Sequence, residues 1–163
     1  HAIAVFSPTV LSPDPASTDS RYIERRTELL ARADADDVRE VAERCILSLG
    51  EPIMITPPEI GIVMMQVREP VVRERFHLGE VVVTRADVEL DGHRGWSMRQ
   101  GTDRITTLAA AICDAAARGG GELGVHVEHL CDATAAALEP REFGLVAHLQ
   151  PTVVEFEELD CVP

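Results

Sequence analysis

Asp91-Gly92 constrains this chain more than any other feature of its sequence. A two-residue Asp-Gly connection supplies the positive φ angles of a tight hairpin turn, so the flanking runs must be antiparallel strands. Before it lies Phe76 to Leu90 (FHLGEVVVTRADVEL), long enough to be a full strand, with Gly79 marking a bulge or bend. After it, His93 to Arg99 returns along the first. Upstream, Ile60 to Arg68 (IGIVMMQVR) is apolar at both alternating positions, the pattern of a central strand.

Helical periodicity surrounds this β region. From Tyr22 to Leu49, one apolar face gathers Leu29, Leu30 and Ala33. A second runs through Val38, Val41, Ala42, Cys45, Ile46 and Leu49 to a stop at Gly50. Asp36-Asp37 offers a cap between them, so the segment reads as a helical hairpin. Pro52, Pro57 and Pro58 separate it from the strands. Gly101 ends the returning strand, Thr102 or Asp103 caps a helix, and Ile105, Leu108, Ala109, Ile112, Cys113 and Ala116 give its apolar face. Gly119-Gly120-Gly121 stops it. Further helix is expected from about Leu123 to Leu138, with a short piece before Pro151, and Thr152 to Glu157 has the pattern of a last strand pairing with the sheet. The fold class is α+β: an antiparallel β-sheet with helices packed on it and an N-terminal helical hairpin. Residues 7–20, rich in Pro, Ser and Asp, place an irregular N-terminal arm over 1–20, ahead of a single domain over 21–163.

Charge then narrows function. The formal net charge is −13, a field that repels nucleic acids and free nucleotides. All 15 basic residues are arginine, which excludes a P-loop lysine, a Schiff-base lysine and a lysine general base. No apolar run approaches the roughly 18 residues of a membrane span. The first residues lack the basic flank of a secretory signal, so a soluble cytoplasmic location is expected. Cys45, Cys113, Cys131 and Cys161 form no CxxC pair and no cluster spacing, and the first two fall on apolar helical faces as buried thiols.

The stretch from Glu59 to Ala116 resembles the PhnG family of the bacterial carbon–phosphorus lyase core complex. Its pattern R-F-x-x-G-E/D-x-x-x-T-R-A-x-V is matched by Arg75, Phe76, Gly79, Glu80, Thr84, Arg85, Ala86 and Val88. Gly95, Gly101, Asp103, Asp114 and Ala115 continue it. Thr102 and the run Thr106-Thr107-Leu108 depart from the arginine and the His-Ala-Glu common in relatives, and Glu157 replaces an aromatic. The resemblance implies a non-autonomous subunit of a hetero-octameric core that takes part in making α-D-ribose 1-methylphosphonate 5-triphosphate from ATP and methylphosphonate. It further implies that the iron–sulfur cluster and S-adenosylmethionine belong to another subunit, that this chain binds no cofactor or metal, and that no catalytic residue transfers to it. A copy isolated from its partners is expected to self-associate.

The residues themselves set a structural explanation beside each functional one. Arg85, on a face with Val81 and Val83, is either an anion contact or an ion pair with Glu80, Asp87 or Asp103; pairing is the simpler account. Gly101-Thr102-Asp103-Arg104 lies at a strand-to-helix turn where phosphate can sit, but Asp103 supplies that negative charge itself. His126, His129 and Asp132 share a helical face at metal-ligand spacing, and polar surface histidines explain them more simply. Trp96 and Phe76 are expected as core or interface anchors, and of Met64-Met65 one residue should face the core. Two classes of function stay open. A complex subunit should expose apolar surface. A small independent acidic ligand-binding or metal-binding domain should converge Arg85, Arg99, Arg104 or the His126–His129 pair on a pocket.

Overall fold

In the computed structural model, residues 4–5, 18–68 and 73–149 are described. Their order is β1 (Ala4–Val5), α1 (Thr18–Arg32), α2 (Ala35–Leu49), β2 (Ile53–Arg68), β3 (Arg75–Leu90), β4 (His93–Gln100), α3 (Arg104–Gly119) and α4 (Gly121–Leu149). The sheet has the order β1-β2-β3-β4, antiparallel from β2 to β4, with β1 parallel to β2. The α+β expectation holds. Of the segment expected as an irregular arm, residues 4–5 form β1 and 18–20 belong to α1. The expected last strand, Thr152 to Glu157, lies outside the described residues.

The hairpin turn sits at Asp91-Gly92, both with positive φ, and sets the β3–β4 register at Leu90↔His93. Strand alternation then sends Thr84, Ala86, Val88 and Leu90 to one face, all buried. Helix α3 lies on that face. Its approach is closest at Gly95, where a Cβ would stand 2.1 Å from the Ala111 carbonyl oxygen and 2.7 Å from the Ala115 Cβ. Ala109 through Ala116 are all buried, so α3 is the central helix of the core. The α1–α2 hairpin and α4 close around it through Leu30, Val38, Ala42, Cys45, Val127 and Leu130.

Several expectations need correction. Asp34, rather than Asp36-Asp37, caps α2, its carboxylate accepting from the Asp36 and Asp37 amides at 2.9 and 3.5 Å. Strand β2 does not start after the prolines but runs through Pro57-Pro58, with register shifts between Met54 and Thr56 and between Thr56 and Glu59. Proline lacks the N–H of a strand ladder, and irregular edge pairing is where that loss is tolerated. Helix α4 continues through Pro140 to Leu149 instead of stopping at Leu138. Ile105 is 70% exposed; the buried residues of the first turn of α3 are Thr106 and Thr107.

Candidate functional site

The residues that carry the family pattern divide into two groups. One group lies where helices cover the sheet, and there each side chain has a building role. Asp103 caps α3, accepting from the Thr106 amide at 3.0 Å and the Thr106 hydroxyl at 2.6 Å. Those two bonds, the hydroxyl's first, hold the Asp103 carboxyl down at about 2. Arg39 of α2 joins the same cluster, reaching Asp103 at 3.1 Å and the Thr106 hydroxyl at 3.0 Å. Gly101 has φ +94, which only glycine adopts without strain, and its carbonyl accepts the Thr84 hydroxyl at 2.8 Å. Arg85 forms an ion pair with Glu59, its register partner on β2, at 3.9 Å. This ion pair is not with Glu80, Asp87 or Asp103, the partners expected from the sequence: register, not neighbourhood, sets which charge is opposite.

Asp114 is the most demanding of these residues. It is wholly buried on α3, and one carboxylate oxygen accepts from Arg26 Nε and Nη2 at 3.1 and 3.0 Å. The other accepts from Arg118 Nε at 3.0 Å and from the Trp96 backbone amide at 3.1 Å. A single side chain thus ties α1, α3 and the edge strand β4 together. Arg26 also approaches Glu128 of α4 at 3.6 Å and stands over the Tyr22 ring. The Tyr22 hydroxyl is raised, first by its hydrogen bond to the Glu128 carboxylate and then by burial. Arg26 was not singled out in the sequence. The signal available was Asp114 itself, a carboxylate inside the apolar run of α3 that must have a cationic partner.

The other group, Arg75, Phe76, Gly79 and Glu80, lies on the far end of the β2–β3 ribbon. Strand β4 pairs with β3 only from Val83 to Leu90, so beyond Val83 the two strands extend as a pair alone. The register shift between Met65 and Gln66 leaves Leu78 as an extra residue beside Gly79, where a bulge was expected. All residues from Arg75 to Glu80 are exposed. Phe76 is 46%, Leu78 58%, Met64 45%, Met65 43% and Val82 45% exposed. Alternation puts Met64 and Val82 on the helix-side face and Met65, Val67 and Phe76 on the opposite face. Neither methionine reaches the core, against expectation, because the helical layer ends before it reaches them.

The groups that would make an independent ligand site go to separate places. The Arg99 guanidinium donates to the carbonyls of Leu30 and of Ala33, the latter at 2.8 Å, and so holds the C-terminal end of α1. His126 Nδ1 pairs with the Glu122 carbonyl within α4 at 2.8 Å, and His129 and Asp132 are exposed. Among the described residues, no three of His, Cys, Asp and Glu gather where a metal ion is held. A cavity of about 560 Å³ lies between α1 and β4, lined by Ile23, Thr27, Ala31, Trp96 and Met98 together with Glu24, Glu28 and Arg118. No described helix is long and apolar enough to cross a membrane. Cys45, Cys113 and Cys131 are buried free thiols.

The family model of the phosphonate metabolism protein PhnG matches residues 23–160. The chain belongs to the PhnG family. A PhnG subunit of alpha-D-ribose 1-methylphosphonate 5-triphosphate synthase from Rhizobium meliloti (strain 1021) is 32% identical over 143 residues, covering 86% of this chain and 90% of the relative. The PhnG match spans both groups of residues, the helix-covered sheet and the bare ribbon end. The role in phosphonate metabolism is thereby that of the family, and among the described residues of this PhnG-family chain the ribbon end leaves Met64, Met65, Phe76, Leu78 and Val82 exposed.

Proposed function

We propose that this chain is a non-autonomous subunit of an α-D-ribose 1-methylphosphonate 5-triphosphate synthase assembly and works in organic phosphonate catabolism by building that assembly. The observation that carries the reading is the ribbon end, with Met64, Met65, Phe76, Leu78 and Val82 exposed on a two-stranded extension. Isolated two-stranded ribbons are marginal in water, and apolar patches of this kind mark protein contacts. The name of the Rhizobium meliloti relative, a synthase subunit, supports the same reading. Its fuller form is a hetero-octameric core in the cytoplasm, with ATP and the iron–sulfur and S-adenosylmethionine chemistry handled by other subunits and no activity expected from this chain alone.

The test is co-expression with the remaining core subunits, purification through a tag on this chain alone, and mass measurement of the product. A stable complex that makes the ribose triphosphate product is expected. A well-folded chain that emerges without the other subunits overturns the proposal.

A further inference from the structure

We infer that the β2–β3 ribbon beyond Val83 is an arm clasped on both faces by a different protein chain, whose apolar cleft carries carboxylates where it meets Arg68 and Arg75. This inference rests on the subunit reading above and adds which surface makes the contact and what chemistry receives it.

Two observations define the receiving chain. The first is that apolar side chains stand on both faces: Met64 and Val82 on one, Met65, Val67 and Phe76 on the other, with the bulged Leu78 at 58% exposure between them. A flat surface covers one face of a ribbon. Only a cleft covers two, and removing side chains of this size from water favours that docking.

The second is a reversal in cross-strand charge. In the helix-covered sheet, charged residues directly opposite one another have opposite signs, as in Glu59↔Arg85 and Glu89↔Arg94. At the ribbon end, Arg68 lies opposite Arg75. Like charges in that relation repel. Both arginines are exposed, and neither has an ion-pair partner among the described residues. An incoming carboxylate between them converts a repulsive pair into a charge-assisted bridge.

A second copy of this chain fits less well. Edge-to-edge pairing of two β2 strands meets β1, which already occupies Gly61 and Ile62 on that edge. It also leaves both apolar faces in water.

The experiment uses the full chain, tagged and co-expressed with the other core subunits. Met65→Asp/Phe76→Asp and Arg68→Glu/Arg75→Glu variants are expected to lower the recovery of partner subunits by about tenfold or more, as loss of central anchors does. Leu47→Asp, at an exposed position outside the ribbon, should keep wild-type recovery. Equal recovery from the ribbon variants, or equal losses from Leu47→Asp, overturns the arm assignment while leaving the subunit reading intact. Failure of the wild-type chain to assemble removes both. A photo-crosslinking amino acid at position 76 covers the case of a variant that does not fold. Crosslinks to another core subunit, in a peptide rich in Asp or Glu, are expected; crosslinks to a second copy of this chain, or none in an assembled complex, overturn the inference.

Discussion

Arg26 and Asp114 meet at 3.0 Å, 88 positions apart in sequence, with 4% and 0% of their side chains exposed. The carboxylate is already saturated by Arg118 and by the Trp96 amide on its other oxygen. Removing one partner of such a buried pair strands a charge, which costs about 3–5 kcal/mol. Asp114→Ala should therefore lose that much in urea unfolding of the isolated chain. An Arg26→Met/Asp114→Leu double variant should recover a large part of it, since the charges left without these partners, Arg118 and Glu128, are both partly exposed to water; a double variant as unstable as the single would contradict the account.

Gly95→Ala tests the close approach of α3 to β4. The added methyl meets backbone of α3 rather than a flexible side chain, at 2.1 Å from the Ala111 oxygen and 2.3 Å from the Ala115 nitrogen. Helix and strand must part. The expected loss is about 3 kcal/mol, at the upper end for overpacking, read as a shift in the unfolding midpoint. Gly79→Ala, where open space surrounds the position, should change little.

Asp103 gives a pH signature. Its folded carboxyl titrates at about 2, below the ordinary aspartate value of about 3.9. The stabilisation is therefore fully present above that ordinary value and is lost as pH falls through the folded one. Asp103→Asn should flatten the pH dependence of unfolding between about 4 and about 2. Loss of the cap in Asp103→Ala should cost about 1 kcal/mol at neutral pH.

The cysteines should behave as core residues. Burial pushes the Cys131 thiol up to about 12, and the Cys113 thiol is raised by the hydrogen bond between Cys113 and Cys45 and then by burial. Since only thiolates alkylate quickly, peptide mapping after iodoacetamide at pH 8 should show Cys113 and Cys131 unmodified until denaturant is added, while Cys45, whose thiol the Cys113 hydrogen bond lowers, is shielded by burial alone. Fast labelling of Cys113 in the folded chain would contradict the packing of α3 against α2.

What the sequence made legible was mostly local. The Asp91-Gly92 turn, the Gly50 stop, the Asp103 cap and the Gly79 irregularity each depend on one or two residues whose backbone preferences act alone. Arg85 shows where that ends: its partner Glu59 is 26 positions away, and only the β2–β3 register brings them together. Arg39 and Arg99 escaped notice as building residues for the same reason, since both bind across elements to Asp103 and to the end of α1. Met64-Met65 misled because an apolar strand reads alike whether its neighbours belong to the same chain or another. The periodicity reports what must be covered; it does not say by whom.

That last distinction has a consequence for how the cell handles this polypeptide. A freshly made copy carries the bare ribbon, with β3 unpaired by β4 beyond Val83, into a crowded solution, and segments of that kind are what chaperones and proteases select. Supply of this chain and of whatever receives the ribbon must then be matched in time and amount. Copies made in excess become substrates for degradation rather than a reserve, so the abundance of the free chain reports how far synthesis and assembly have fallen out of step.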